Sequence, residues 1–164
     1  MSLVVTMFTD SSWCPETRAG GWSVWWKTDQ GMERQAGGFK QPPASALHAE
    51  LGALANGVWL LDRYRPAPWM ERGLIILQSD CLQALDLLAR RTLPKPGPLD
   101  DMVTLVQGIA GKRRWKLDLR HVKAHVGCGD RVTVEGRRTA VNNWCDEAAK
   151  AEMRRVRDAV VAEG

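Results

Sequence analysis

Four carboxylates stand where an acid could leave a sheet or a helix and converge on one side of a domain: Asp10, Glu50, Asp80 and Asp146. A group of aspartate and glutamate without cysteine is the donor set that hard cations such as Mg2+ or Mn2+ favour, rather than zinc. Two such ions about 4 Å apart can activate a water and stabilise the leaving oxygen of a phosphodiester. The residue types therefore indicate metal-assisted phosphoryl chemistry.

Three of these acids also have ordinary structural explanations when each is taken alone. Asp10 ends a predicted strand before two serines and could form a turn. Asp80 follows an apolar strand and precedes a glutamine by three residues, so it could cap a helix. Asp146 lies in the first turn of the predicted last helix, where an acid gains from the helix dipole.

Glu50 has no such simple explanation. It comes three residues after Leu47 and four before Leu54, on or beside the apolar stripe of its helix. The nearest basic residues along the chain are Lys40 and Arg63, neither of them inside the same helical turns. Burying an unpaired carboxylate costs several kcal/mol, and such a group is usually paired with a cation or bound to a metal. A divalent metal is therefore the simplest partner for Glu50.

The hydrophobic periodicity predicts an α/β protein with three strands, a helix, a strand, two helices, a strand and a last helix. An antiparallel start followed by crossover connections gives a mixed sheet with helices on its faces. The predicted strands are 4–10, 22–26, 32–39, 73–79 and 115–122, and the predicted helices are 44–62 with Ser45 as a cap, 80–90, 99–110 and 144–162 with Asn142 or Asn143 as a cap. Between them, 91–98 reads as a proline-rich loop and 126–140 as a polar segment in which Val132 and Val134 could form a hairpin.

Length and composition set the outer limits. The 164 residues suit one domain spanning 1–164, and 45% hydrophobic with 26% charged residues excludes a mainly disordered chain. No apolar run approaches the ~20 residues of a membrane span, and no basic leader opens the sequence, so we expect a cytoplasmic protein with no membrane contact. A monomer is the default expectation. The net charge of +4 permits a polyanionic partner.

Five short blocks together resemble the type 1 ribonuclease H family, in the family's order and over residues 4–159. Any one block is a weak signal, but five in order on matching elements are specific. The blocks are Phe-Thr-Asp-Ser-Ser at 8–12, Ser-Ala-Leu-His-Ala-Glu-Leu-Gly-Ala-Leu at 45–54, Leu-Gln-Ser-Asp-Cys at 77–81, His-Val-Lys-Ala-His-Val-Gly at 121–127 and Asn-Trp-Cys-Asp-Glu-Ala-Ala at 143–149.

The resemblance implies a ribonuclease H-like fold with a five-stranded mixed sheet and an endoribonuclease that hydrolyses the RNA strand of RNA/DNA hybrids, leaving 3′-hydroxyl and 5′-phosphate ends. It implies that Asp10, Glu50, Asp80 and Asp146 hold two Mg2+ ions, with Mn2+ as a substitute and Asp10 bridging both. It also implies that His125 helps proton transfer or product release. Candidate substrate contacts are Ser11, Ser12, Trp13, Ser45, Arg137 and Arg138.

The sequence departs from the family's pattern in three places. The segment 127–141 is longer than usual, and 91–98 lacks the basic helical extension with which many relatives grip the hybrid, so an auxiliary domain or a partner protein could supply that grip. Ala46 and Leu47 replace asparagines of the family, as in its retroviral branch, and leave recognition of RNA 2′-hydroxyls more to the backbone. Two alternatives follow: a nuclease for another duplex or branched nucleic acid, and a catalytically silent nucleic-acid-binding module.

Overall fold

The computed structural model describes residues 3–64, 72–92, 94–122 and 134–164, with the backbone alone described over 134–139. The strands and helices alternate largely in the predicted order. They are β1 (Leu3–Trp13), β2 (Gly20–Thr28), β3 (Gly31–Gly38), α1 (Ala46–Tyr64), β4 (Gly73–Ser79), α2 (Leu82–Leu88), α3 (Pro98–Arg113), β5 (Trp115–His121) and α4 (Val134–Glu163).

The sheet has five strands in the order β3-β2-β1-β4-β5. The first three strands pair antiparallel, as the short turns between them require. β4 and β5 are then added in parallel, each after a helical crossover. The predicted five-stranded mixed sheet is confirmed, and its parallel half brings the carboxyl ends of β1 and β4 to the same edge.

Helices cover both faces of this sheet. Because side chains alternate along a strand, Met7 and Thr9 of β1 face α1, where Gly57 lies against both of them. Phe8, which stands between them, points to the opposite face. On that side the Cys145 thiol of α4 lies 3.9 Å from the Phe8 backbone oxygen. The helices α1, α2 and α3 pack together on the first face, and α4 covers the second. None of the described helices combines the length and the apolar character of a membrane span.

The main core lies between α1 and the sheet. The predicted apolar stripe of α1 is buried from Leu51 to Leu61 and partly buried at Leu47. It meets the apolar residues of the two central parallel strands, which are covered on both faces and therefore read as nearly continuous hydrophobic runs. The fully buried members of these strands are Val5, Met7, Ile75 and Leu77.

Two boundaries at the site end of the sheet differ from the sequence prediction. β1 continues three residues beyond Asp10 to Trp13, because Trp13 still pairs with Gly20 of β2. Asp10 therefore lies within the strand and does not form a turn. α1 begins at Ala46 and not at 44, because Ser45 is its cap and accepts a hydrogen bond of 3.1 Å from the backbone N–H of His48.

The last helix is much longer than predicted. α4 begins at Val134, so the expected cap at Asn142 or Asn143 is wrong, and a hairpin at Val134 is excluded; Val132 lies outside the described residues. The segment reads as a loop because it is polar, but Glu135, Arg137 and Arg138 are residue types that also favour a helix. As a consequence, Asp146 lies in the helix interior, and the helix dipole does not explain it.

Candidate metal centre and active site

Three of the four predicted acids meet at the carboxyl edge of the parallel strands. Asp10, Glu50 and Asp80 each offer a carboxylate oxygen, and these three oxygens lie within 4.8 Å of one another. The sheet register explains two of them: Phe8 pairs with Gln78 in the parallel β1–β4 ladder, so Asp10 and Asp80, each two residues further on, reach the same level. α1 supplies the third from one face.

The turn that carries Asp80 is fixed by hydrogen bonds from its neighbours. The backbone N–H of Cys81 donates to Ser79 Oγ at 3.1 Å, and His121 Nε2 lies 3.0 Å from the backbone oxygen of Asp80. α2 begins only at Leu82, with Cys81 at its N-cap and no side-chain cap hydrogen bond. The capping explanation for Asp80 is therefore wrong, and its carboxylate belongs to the acidic group.

Asp146 approaches the group from the other face of the sheet. α4 is anchored beside it by a buried hydrogen bond of 2.6 Å from Ser23 Oγ to the backbone oxygen of Cys145. Ser23 is the β2 residue that pairs with Asp10, so this anchor brings Asp146 near the site, and its charge contributes to raising the pKa of Asp10. The Asp146 carboxylate itself pairs with Lys150 Nζ at 2.7 Å and is not one of the three clustered oxygens.

Burial makes two of the clustered carboxyls, those of Asp10 and Glu50, hard to ionise. Asp10 is only 4% exposed, and desolvation followed by the charge of Asp80 raises its pKa from 3.8 to about 7, although the backbone N–H of Ser11, which donates to Asp10 at 2.8 Å, opposes this. Desolvation and then the charge of Asp10 raise the pKa of Glu50 from 4.5 to about 8. Three acids are thus held where their charges repel.

The donor set fits a divalent cation. One buried oxygen of Glu50, Oε2, has no hydrogen-bond partner among the described residues. An unpartnered buried carboxylate oxygen, beside two more carboxylates, is what a hard cation satisfies, because the cation both completes the coordination and removes the repulsion. The group contains no sulfur or imidazole ligand, which disfavours zinc.

These raised pKa values predict how stability depends on pH without metal. In the unfolded chain Asp10 and Glu50 ionise near pH 4, whereas in the folded protein they keep their protons until about pH 7 and 8. The folded state therefore binds more protons across that window, so stability falls as pH rises from about 4 to 8. Burial lowers the pKa of His48 and gives a smaller trend of opposite sign.

The measurement is the midpoint of thermal unfolding in EDTA from pH 4.5 to 8.5, repeated with Mn2+. We expect the metal to raise the midpoint most at pH 8 and above, where the carboxyls are ionised. The double variant Asp10→Asn/Glu50→Gln is the control, because it keeps His48 and should lose the downward trend. A wild-type midpoint that rises steadily to pH 8 in EDTA would contradict the prediction.

The predicted substrate contacts near Asp10 have structural partners. The indole N–H of Trp13 donates to the backbone oxygen of Pro43 at 2.9 Å, which ties the end of β1 to the turn before α1. Ser45 caps α1, and the ring Nδ1 of His48 accepts a hydrogen bond of 3.0 Å from the N–H of Ala44. These bonds fix the distance between the strand of Asp10 and the helix of Glu50. Ser12 is half-buried beside them.

Other predicted site residues cannot be placed from the described part of the chain. His125 lies outside the described residues, and Arg137 and Arg138 belong to the part of α4 whose side chains are not described. One neighbour of the site was missed by the sequence analysis, namely Lys150. The signal was present, because a cation four residues after an acid on a helix lies within ion-pair distance.

Known structures share this fold. The chain is similar to the N-terminal RNase H domain of rv2228c from Mycobacterium tuberculosis, with a TM-score of 0.70, 16% identity and 99% of each chain covered. It is also similar to LC11-RNase H1 in complex with an RNA/DNA hybrid, with a TM-score of 0.71, 12% identity, and 92% of this chain and 97% of that one covered. A third similar structure is RNase H1 from the halophilic archaeon Halobacterium salinarum NRC-1, with a TM-score of 0.63 and 16% identity. The match covers 92% of this chain and 98% of that one.

The fold is therefore that of type 1 ribonuclease H structures, as the sequence blocks predicted. No family model matches the sequence, and no curated protein is similar to it. The likeness is thus one of architecture at low identity.

Proposed function

We propose that the protein is a metal-dependent endoribonuclease that hydrolyses the RNA strand of RNA/DNA hybrids and leaves 3′-hydroxyl and 5′-phosphate ends. The observation that carries this proposal is the convergence of Asp10, Glu50 and Asp80, with an unpartnered buried oxygen on Glu50, in a chain with the ribonuclease H fold. A turn does not account for Asp10, a helix cap does not account for Asp80, and the helix dipole does not account for Asp146. These findings argue against a catalytically silent module.

In this proposal Asp10, Glu50, Asp80 and Asp146 hold two Mg2+ ions, for which Mn2+ can substitute. When bound, the ions supply Lewis-acid chemistry at the phosphodiester, both for the attacking water and for the leaving oxygen. Asp10 is proposed as the central ligand, because its charge interacts with those of Glu50 and Asp80 and also with that of Asp146 on α4. Ser11 orients Asp10 through its backbone N–H. His125 is proposed to assist proton transfer or product release.

The proposed substrate is a hybrid duplex. One structure with this fold, LC11-RNase H1, is described in complex with an RNA/DNA hybrid, and the net charge of +4 suits a phosphate backbone. Ser11, Ser12, Trp13 and Ser45 are proposed to contact the strand that is cut, and Arg137 and Arg138 are proposed to contact phosphates. An auxiliary domain or partner protein could add affinity, since 91–98 lacks a basic extension.

The test is cleavage of an end-labelled RNA/DNA hybrid beside double-stranded RNA, double-stranded DNA, a branched DNA and single-stranded RNA, in Mg2+, Mn2+ or EDTA. We expect metal-dependent cleavage of RNA in the hybrid, with hydroxyl at the 3′ end of the fragments. Metal-dependent cleavage of another duplex or of the branched DNA would favour the alternative nuclease. Folded protein that cuts no substrate in either metal would overturn the proposal.

A further inference from the structure

The ion pair between Asp146 and Lys150 sets the fourth acid apart from the other three. Lys150 Nζ lies 2.7 Å from Asp146 Oδ2, one helical turn further along α4. The pair is only partly exposed, with 42% of the lysine and 28% of the aspartate side chain accessible. Asp146 thus already has a cationic partner, and its carboxylate is not among the three oxygens of Asp10, Glu50 and Asp80 that lie within 4.8 Å of one another.

The charge of Lys150 also acts on the acidic group itself. It lowers the pKa of Asp10, against the effects of burial and of Asp80 and Asp146. Lys150 is therefore a cation whose charge stabilises ionised Asp10, and it does so from the side on which Asp146 approaches. A lysine ammonium is a compact point charge that bonds to a carboxylate oxygen in much the same place as a divalent ion would.

We propose that Lys150 is a positioning residue that competes with a divalent ion for the Asp146 carboxylate, and so sets the metal concentration at which Asp146 joins the other three acids. This inference rests on the proposed metal site. At low metal concentration the lysine holds Asp146 and offsets part of the negative charge. An ion that binds Asp146 Oδ2 must displace the ammonium, and an ion that binds the other carboxylate oxygen is still opposed by its charge.

The consequence is a built-in weakening of metal binding on the Asp146 side. Asp10, Glu50 and Asp80 can hold one ion without disturbing α4, since their oxygens are already grouped. A further ion that needs Asp146 either breaks the 2.7 Å charge-assisted hydrogen bond to Oδ2 or binds the other oxygen against the charge of Lys150. The two binding events should therefore occur at different metal concentrations, and only the weaker one should respond strongly to loss of Lys150.

The experiment compares Lys150→Met with wild type. Methionine keeps much of the side-chain length and removes the charge. Mn2+ binding is followed by loss of the free-ion electron paramagnetic resonance signal, and hybrid cleavage is followed across an Mg2+ titration. We expect the weaker Mn2+ phase of Lys150→Met and its Mg2+ midpoint for cleavage both to move to lower concentration by about three- to tenfold, the size of effect expected for one partly exposed charge.

Two further variants separate competition from a change in net charge or packing. Lys150→Arg keeps the charge and should stay within about twofold of wild type. Arg155→Met removes a cation from the same helix, where Arg155 pairs with Glu152 at 2.8 Å, and its metal midpoints should not move. If Arg155→Met shifts them as much as Lys150→Met does, the effect is one of overall charge and the inference is wrong.

The outcomes also separate this inference from the proposed function. Cleavage of the hybrid with metal midpoints unchanged, or raised, in Lys150→Met would overturn the inference and leave the function standing. A shift in the weaker Mn2+ phase without cleavage of any hybrid would support the inference and overturn the function. Absence of any Mn2+ binding to wild type would overturn both.

Discussion

Replacing Asp10 with asparagine is expected to abolish hybrid cleavage while making the metal-free protein more stable. Asparagine keeps the shape of aspartate but removes a negative charge that lies close to those of Glu50 and Asp80. Metal-ion catalysis lowers the activation free energy by several kcal/mol. We therefore expect the cleavage rate in Mg2+ to fall by about 10³-fold or more. Glu50→Gln should behave in the same way.

Stability should move in the opposite direction. Because wild-type Asp10 has a raised pKa of about 7, ionising it at pH 8 opposes folding, and asparagine avoids that cost. We expect Asp10→Asn to gain about 1–3 kcal/mol in unfolding free energy at pH 8 in EDTA, with a smaller gain at pH 5. Urea unfolding at the two pH values measures this.

Asp158→Asn is the matched control for both effects. It makes the same change in charge on α4, at a side chain that is 69% exposed and paired with its neighbour Arg157. Its cleavage rate and stability should remain close to wild type. If Asp10→Asn retained a tenth or more of the wild-type rate in both Mg2+ and Mn2+, the proposal that Asp10 is the central ligand would be wrong.

The second large effect is expected from a single methyl group at Gly21. A Cβ there would lie 2.2 Å from the backbone oxygen of Ala149 and 2.4 Å from the backbone nitrogen of Met153. Both atoms belong to the α4 backbone, so no side-chain rotation can relieve the contact, and the helix must move away from the sheet. We expect Gly21→Ala to cost about 3 kcal/mol, and to lower the unfolding midpoint by about 6–12 °C.

The displacement should also reach the site. α4 carries Asp146 and is held to β2 by the Ser23–Cys145 hydrogen bond, two strand residues from Gly21. A shift of α4 should therefore weaken cleavage even at a temperature where Gly21→Ala is folded. Gly108→Ala on helix α3 is the control, because a Cβ at Gly108 meets no neighbouring atom within 4 Å. This substitution should raise the free energy of unfolding by about 0.5–1 kcal/mol. Equal stability of the two variants would contradict this account of α4 packing.

Much of the site could be predicted from the sequence because it depends on local periodicity. The alternation of β1 and the apolar run of β4 showed that Asp10 and Asp80 stand near strand ends that share an edge. The helical spacing around Glu50 showed that a carboxylate faces the core side of α1, and the structure leaves one of its oxygens buried without a partner. These signals report which face of an element is buried, and the sequence carries them directly.

The tertiary structure decided what depends on packing between distant segments. Ser23 and Cys145 are 122 residues apart, and no periodicity indicates that they bond. Likewise, Trp13 and Pro43 are 30 residues apart, and only the fold shows that the indole N–H of Trp13 donates to the Pro43 backbone oxygen; the contacts of Trp13 and Ser45 with substrate stay predictions.

The start of α4 belongs to the same class. A polar segment reads as a loop until the helix it continues is seen packed against the sheet. The raised pKa values of Asp10 and Glu50 likewise arise from the burial and mutual approach of three elements. The sequence by itself determined the order of elements and the candidate acids, because hydrophobic spacing is a local property. The distances, pKa shifts and hydrogen-bond partners at the site required the fold, because they depend on which remote atoms come together.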